Sequence, residues 1–182
     1  MAQAVNLGFP RIGLHRELKN ATEAYWAGRA TAAELSEVAT ALRLANWAAQ
    51  KEAGIDGIPA NDFSLYDHVL DMTVSLGAIP ARYLSADPAS GDELTTYFAM
   101  ARGSSDGVAA MEMTKWFDTN YHYIVPEFEP GQTFHARGAK PLAELREARA
   151  AGFDVRPVLI GPLSYLLLGK MRPAEHRREE TA

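Results

Sequence analysis

Apolar positions recur at a helical spacing in some stretches and fall in short unbroken clusters in others, and the two kinds of stretch alternate. From Thr31 onward Leu35, Val38, Leu42, Ala45 and Ala49 recur every three or four residues and form one stripe on a long helix. Thr31 with Glu34 is a capping box that sets its start, and Gly54 is its natural stop. Charged, helix-favouring residues predict an earlier helix from His15 to about Ala27, ended by Gly28. Further helices are expected over 66–76, over 92–102 with Leu94, Tyr97, Phe98 and Ala101 inward, and over 141–151. The last has Pro141 in its first turn and Gly152 at its end. Between them, residues 4–7, 55–59, 108–114 and 156–160 read as strands. The stretch 61–68, the small polar stretch 85–91 and the turn 104–107 read as connections.

The order strand, helices, strand, helices, strand, helix, strand predicts an α/β fold with a parallel sheet. A (β/α)8 barrel takes about 250 residues. If this is a barrel, the chain is a partial (β/α)8 TIM-type barrel, about four parallel strands with intervening helices. A complete small open-sheet domain is the alternative. A half barrel leaves sheet edges uncovered, which favours association with a second copy or a partner. The most apolar run, 158–169, is broken by Gly161, Pro162 and Ser164. A membrane-spanning helix needs about 20 apolar residues. The run therefore reads as a buried strand leading into a turn. Residues 171–182 are almost all polar and read as a frayed end.

Composition narrows the chemistry. With 182 residues, 47% apolar and 23% charged, the chain is ordinary for a soluble domain with its own core. A net charge of −5, with both signs mixed, gives no basic face for nucleic acid. The absence of cysteine excludes disulfides and any zinc site built on thiolates. The first residues lack a secretory leader, so the cytoplasm is the expected location. No dinucleotide, phosphate-loop or nucleophile-elbow motif is present. His68 and His122 are far apart and no HxxxH or HExxH pattern links any pair, so Asp62, Asp67, His68, His122 and Glu127 read as loop, capping and packing residues. Trp116, Phe117, Tyr121 and Tyr123 are expected to fill a core or line a groove.

Cations offer the remaining candidate chemistry. Arg16 and Lys19, three apart on a predicted helix, point to one side near its start. The helix dipole opposes cations there, and a bound carboxylate would favour them. Equally, Glu23 lies four residues after Lys19 and could pair with it on a solvated face. Lys115 follows an apolar run, as would a lysine at the end of a buried parallel strand, or a surface lysine beside aromatic packing.

Several long motifs carry a family likeness. They are Leu7-Gly8-Phe9-Pro10-Arg11-Ile12-Gly13-Leu14 with Arg16-Glu17-Leu18-Lys19, then Tyr25-Trp26-Ala27-Gly28, then Asp62-Phe63 with Tyr66-Asp67-His68-Val69-Leu70. Next come Met111-Glu112-Met113-Thr114-Lys115-Trp116-Phe117-Asp118-Thr119-Asn120-Tyr121-His122-Tyr123 with Val125-Pro126-Glu127, and finally Arg156-Pro157-Val158-Leu159-Ile160-Gly161-Pro162. In this order they resemble the N-terminal barrel of the cobalamin-independent methionine synthase family, over about 7–170. The resemblance implies two face-to-face (β/α)8 barrels on one longer chain, of which this one covers about a quarter, as the N-terminal portion of the first barrel. It implies a cytoplasmic enzyme of methionine biosynthesis that moves a methyl group from 5-methyltetrahydrofolate polyglutamate to homocysteine. It also implies zinc, held by the C-terminal barrel, with no cobalamin and no cofactor on this part. Arg16, Glu17, Leu18 and Lys19 match the stretch that contacts the folate, and Lys115 matches a lysine that meets its glutamate tail. This part would then bind folate without being catalytic alone. The alternative is a non-catalytic α/β module that associates with itself or with a partner.

Overall fold

The computed structural model describes residues 2–84, 93–137 and 139–172. The connection expected at 85–91, the first residue of the helix expected over 92–102, and the polar end beyond Arg172 lie outside these residues. Among them, α1 (Glu17–Trp26) and α2 (Ala32–Glu52) precede β1 (Ile58–Ala60), which α3 (His68–Ser75) and α4 (Glu93–Arg102) follow. The strands β2 (Met113–Lys115), β3 (His122–Ile124) and β4 (Glu127–Phe128) lead to α5 (Ala139–Ala150) and β5 (Val155–Pro157). The helix α6 (Pro162–Leu168) and β6 (Lys170–Met171) complete the order. The α/β class expected from the alternation holds.

The capping box works as the sequence predicts: the Thr31 hydroxyl accepts from the Glu34 amide, and the Glu34 carboxylate accepts from the Thr31 amide. Leu35 and Leu42 are buried, but Ala45 and Ala49 face water, and Trp47 and Gln50 turn inward instead. The second half of α2 packs Trp47 against Ile58, Ala60, Ala148 and Val155, and its indole N–H donates to the Pro59 carbonyl at 3.1 Å. A large aromatic side chain with a hydrogen-bond partner on the sheet outweighs two alanines in setting which face is buried. The first half of α2 joins Leu18, Phe63, Leu70, Phe98 and Met100 in a larger core.

Parallel pairing joins β1 to β5 and β4 to β6, and Val5 makes a parallel bridge to Gly57 just before β1. The strand expected over 108–114 departs from this pattern. It begins at Met113 and pairs antiparallel with β3, so the expected set of about four parallel strands is one short there. Two local ties explain the change. The Met111 amide donates to the Met100 carbonyl, which fastens the approach to the end of α4. The Trp116 amide donates to the Tyr121 carbonyl at 2.7 Å, which folds the chain back on itself as a hairpin.

The apolar run at 158–169 is also corrected. It is not a buried strand: Gly161 serves as N-cap, Pro162 takes the first helical position, and α6 forms. Only Tyr165 on that helix is buried, while Leu163, Leu166 and Leu167 are 70%, 50% and 77% exposed. Tyr165 packs with Val69, Tyr123, Val125 and Phe128 in a third core cluster. Its hydroxyl lies 2.9 Å from that of Thr73, and burial pushes it up to about 12.

Candidate functional site

A parallel sheet gathers side chains at the carboxyl ends of its strands, because each strand there gives way to a loop that is free to vary. In this chain the carboxyl ends of β1 and β5 open onto a cavity of about 700 Å3. Leu7, Trp116, Val158 and Ile160 supply apolar wall, and Asn61, Asp62, His68 and Lys140 supply the polar groups.

The loop after β1 is held from both sides. The Arg11 guanidinium donates to the carbonyls of Ser64, Leu65 and Tyr66, tying the N-terminal segment to that loop. Asp62 accepts from the Phe9 amide at 2.8 Å, and burial pushes its carboxyl above the ordinary value. Asn61 leaves β1 in a left-handed conformation, φ 68°. Its Nδ2 donates to the Pro141 carbonyl at 3.2 Å and to the Glu144 carboxylate at 3.1 Å, while its buried Oδ1 has no hydrogen-bond partner.

Lys140 is fully engaged. It donates to the Phe63 carbonyl at 2.8 Å and ion-pairs with Asp71 at 3.1 Å and Glu144 at 3.0 Å. Burial alone would lower its ammonium, but the two carboxylates reverse that and hold it above its ordinary value. Arg43 extends the network, gripping Glu147 through two nitrogens.

A three-residue chain lies on the α3 side. Asp67 is the N-cap of α3: its Oδ2 accepts from the amides of Leu70 and Ile124, both at 3.0 Å, and its Oδ1 accepts from the Tyr121 hydroxyl at 2.7 Å. Because that hydroxyl proton goes to Asp67, the 2.9 Å contact between Tyr121 and His68 Nδ1 has the imidazole donating. The neutral His68 ring then carries its lone pair on Nε2. Burial pushes the Asp67 carboxyl up despite its hydrogen bonds, and burial with Asp67 pushes the Tyr121 phenol up.

The residues expected to meet a ligand lie elsewhere, on α1 and the β2–β3 hairpin, and they divide by role. Arg16 is not inside the helix but one step before it, as the N-cap, with φ 65°. Its side chain is exposed and, among the described residues, has no hydrogen-bond or ion-pair partner. Glu17 turns back to accept from the His15 amide at 2.9 Å, and backbone amides of Glu17 and His15 hold its carboxyl below the ordinary value. Leu18 is 1% exposed and belongs to the core. Lys19 is half-exposed and pairs with Glu23 at 3.5 Å on the same helix. Lys115 is exposed and without a partner among the described residues, but it closes an antiparallel strand rather than a buried parallel one. Of the aromatic residues near it, Tyr123 is core, Trp116 and Tyr121 line the cavity, and Phe117 is 77% exposed at φ 50°.

Reading residues alone missed Asn61 and Lys140 as cavity residues. The signal for Asn61 was its place directly after a predicted strand. Lys140 gave none, because its pairing with Glu144 four residues on reads as an ordinary helix pair, and Phe63 and Asp71, which draw it to the cavity, are far away in sequence. Among the described residues no three His, Asp or Glu side chains come together as metal ligands. With no cysteine in the chain, these residues do not fit a zinc centre. No helix is long and apolar enough to cross a membrane among the described residues.

Comparison with known proteins bears on both regions. The profile described as "Cobalamin-independent synthase, N-terminal domain" matches residues 3–182. The chain is 59% identical over 168 residues to the 5-methyltetrahydropteroyltriglutamate–homocysteine methyltransferase of Flavobacterium johnsoniae, covering 91% of this chain and 22% of that protein. It is 56% identical over 180 residues to the enzyme of the same name from Salinibacter ruber, covering 93% and 23%. With the Streptomyces coelicolor enzyme of that name it shares 56% over 172 residues, 94% and 22%. The chain thus spans less than a quarter of the length of these relatives.

Proposed function

The chain belongs to the cobalamin-independent synthase family, within its N-terminal domain, and from that premise we propose that it is the opening portion of the N-terminal (β/α)8 barrel of a cytoplasmic methionine-forming methyltransferase. The full enzyme transfers a methyl group from 5-methyltetrahydropteroyltri-L-glutamate to homocysteine. The C-terminal barrel carries the zinc, and this portion holds the glutamate tail of the folate and is not catalytic alone.

The observation that supports this reading is the pair of exposed cations, Arg16 and Lys115, without partners among the described residues, in two of the motifs that carry the family likeness. A planar guanidinium meets a carboxylate with two parallel hydrogen bonds, and a lysine adds a mobile point charge. Lys19 joins them by giving up an exposed pair with Glu23, which contributes little to stability. Glu17 and Leu18 serve the site indirectly. Glu17 braces the turn that sets Arg16 outward, and Leu18 anchors α1 in the core.

The test is calorimetric titration of the chain with triglutamylated 5-methyltetrahydrofolate at low and high salt, repeated on Arg16→Glu/Lys19→Glu. Exposed charge pairs weaken with salt. Binding that falls with salt and is lost in the double variant supports the assignment. In a full-length relative, unchanged affinity of the double variant for the triglutamate substrate would remove it.

A second reading, a self-associating or partner-binding module, draws on the exposed leucines of α6. Sedimentation would show a monomer at every concentration if it were wrong.

A further inference from the structure

The tip of the β2–β3 hairpin combines two features that each disfavour the folded state. Phe117 holds a left-handed backbone, φ 50°, in a turn closed by the Thr119 amide donating to the Trp116 carbonyl at 3.2 Å. Glycine, asparagine and aspartate are the residues that such a position favours. The Phe117 side chain is also 77% exposed, which leaves a large apolar ring in water. The tip is nevertheless firmly tied. The Thr119 hydroxyl donates to the Trp116 carbonyl at 2.6 Å, and the Tyr121 amide donates to the Thr119 hydroxyl at 3.2 Å. A strained residue persists only where its surroundings hold it, and such residues gather at ligand sites.

The ring is held in place from beneath. It meets the Trp116 ring with centroids 5.3 Å apart and planes at 82°. Trp116 packs in turn against His68 at 5.3 Å and against the buried Tyr123 at 5.8 Å, so the outermost ring rests on rings anchored in the core. A ring already oriented loses little freedom when a ligand stacks on it. The charges beside it are ordered along the chain. Lys115, two residues earlier, is exposed and without a partner among the described residues, and the exposed His122 is its cross-strand neighbour. Glu112 is engaged by Lys170 at 2.6 Å. Asp118, directly after Phe117, is exposed. A ligand with a flat ring and a carboxylate is therefore favoured with its ring on Phe117 and its carboxylate toward Lys115, away from Asp118.

The folate triglutamate of the function proposed above has these parts in this order, since its p-aminobenzoyl ring is joined by an amide to the first glutamate. We propose that Phe117 is the platform on which that ring stacks, with the α-carboxylate of the first glutamate at Lys115. This role rests on the tail-binding role of Lys115 and extends the same site from the glutamates to the ring before them.

The experiment titrates the 182-residue chain at low salt with p-aminobenzoyl-triglutamate and with triglutamate, by calorimetry, and repeats both on Phe117→Asn and Phe117→Tyr. Asparagine tolerates the left-handed turn without offering a ring, and tyrosine keeps the ring. The parent is expected to bind the p-aminobenzoyl ligand about fivefold more tightly than triglutamate, the gain of one aromatic stack. Phe117→Asn should lose that ratio and keep its triglutamate affinity, while Phe117→Tyr should keep the ratio. If the parent binds neither ligand, the tail-binding role falls and the platform falls with it. If the parent binds both equally, or Phe117→Asn retains the ratio, or that variant loses triglutamate as well while circular dichroism shows it folded, the platform is overturned and the tail-binding role stands. Should Phe117→Asn unfold, nuclear Overhauser contacts between the aminobenzoyl and Phe117 ring protons in the parent decide: their presence supports the platform and their absence overturns it.

Discussion

Arg16, Asn61 and Phe117 are the non-glycine residues that hold a left-handed backbone among the described residues, with φ of 65°, 68° and 50°. Asparagine tolerates that region; arginine and phenylalanine do so at a cost of about 1–2 kcal/mol. For Arg16 the cost has a visible return, since the turn aims an exposed guanidinium into solvent beside the start of α1. Glycine at that position relieves the strain but loses more entropy on folding. Arg16→Gly should therefore stabilise the chain by about 0.5–1 kcal/mol while weakening triglutamate binding. Arg16→Ala should lose the same affinity with no gain in stability. Urea denaturation midpoints and titrations of the two variants check this, and equal stability of both would mean that the turn carries no strain. The sequence places Arg16 on the same helix face as Lys19. That reading misses the turn because it is made by Glu17 reaching back to the His15 amide and by the Arg16 amide on the Gly13 carbonyl, neither of which apolar spacing records.

At the scale of elements, legibility follows the distance between partners. The start of α2 is readable because its cap closes within three residues. The start of α3 is half readable. Asp67 caps Leu70 locally, but the same carboxylate also binds Tyr121 and Ile124, 54 and 57 residues further along the chain. Asp67 thereby fixes α3 to the β2–β3 hairpin at a buried position, and this has a pH signature. Burial holds the folded carboxyl above its ordinary value of 3.8, so the folded state binds the proton more tightly than the unfolded one. The stability that this brings is complete below pH 3.8 and is lost as pH rises through the folded value. Asp67→Asn lacks that titration. The stability of the parent relative to the variant should therefore fall as pH climbs through this acid window, then level off. Thermal melts of both proteins across the window test it, and a relative stability that rises with pH would show that the hydrogen bonds outweigh burial.

For the whole molecule, the α/β alternation is legible and the role of its last helix is not. A strongly apolar run reads as buried even when small residues interrupt it, because in most domains something covers it. Here the run forms α6 with Leu163, Leu166 and Leu167 open to water, beside the exposed Leu159 and Met171. Leu163, Leu166 and Leu167, three and four apart on one helix, share a face, and an exposed apolar face favours contact with another surface. The relatives are more than four times as long, and on the barrel reading proposed above the cover is later strands and helices of a longer chain. The two states of the molecule then respond oppositely to one change. In the 182-residue chain, Leu163→Glu/Leu167→Glu should reduce concentration-dependent association in sedimentation and leave the melting temperature unchanged, because both side chains are already solvated. In a full-length relative, the matching pair should cost about 3 kcal/mol or more, because charged groups would replace buried leucines. Chemical denaturation of the full-length double variant measures that cost. A full-length protein indifferent to both charges would leave the α6 ridge exposed in the complete enzyme and would take away the partial barrel as its explanation.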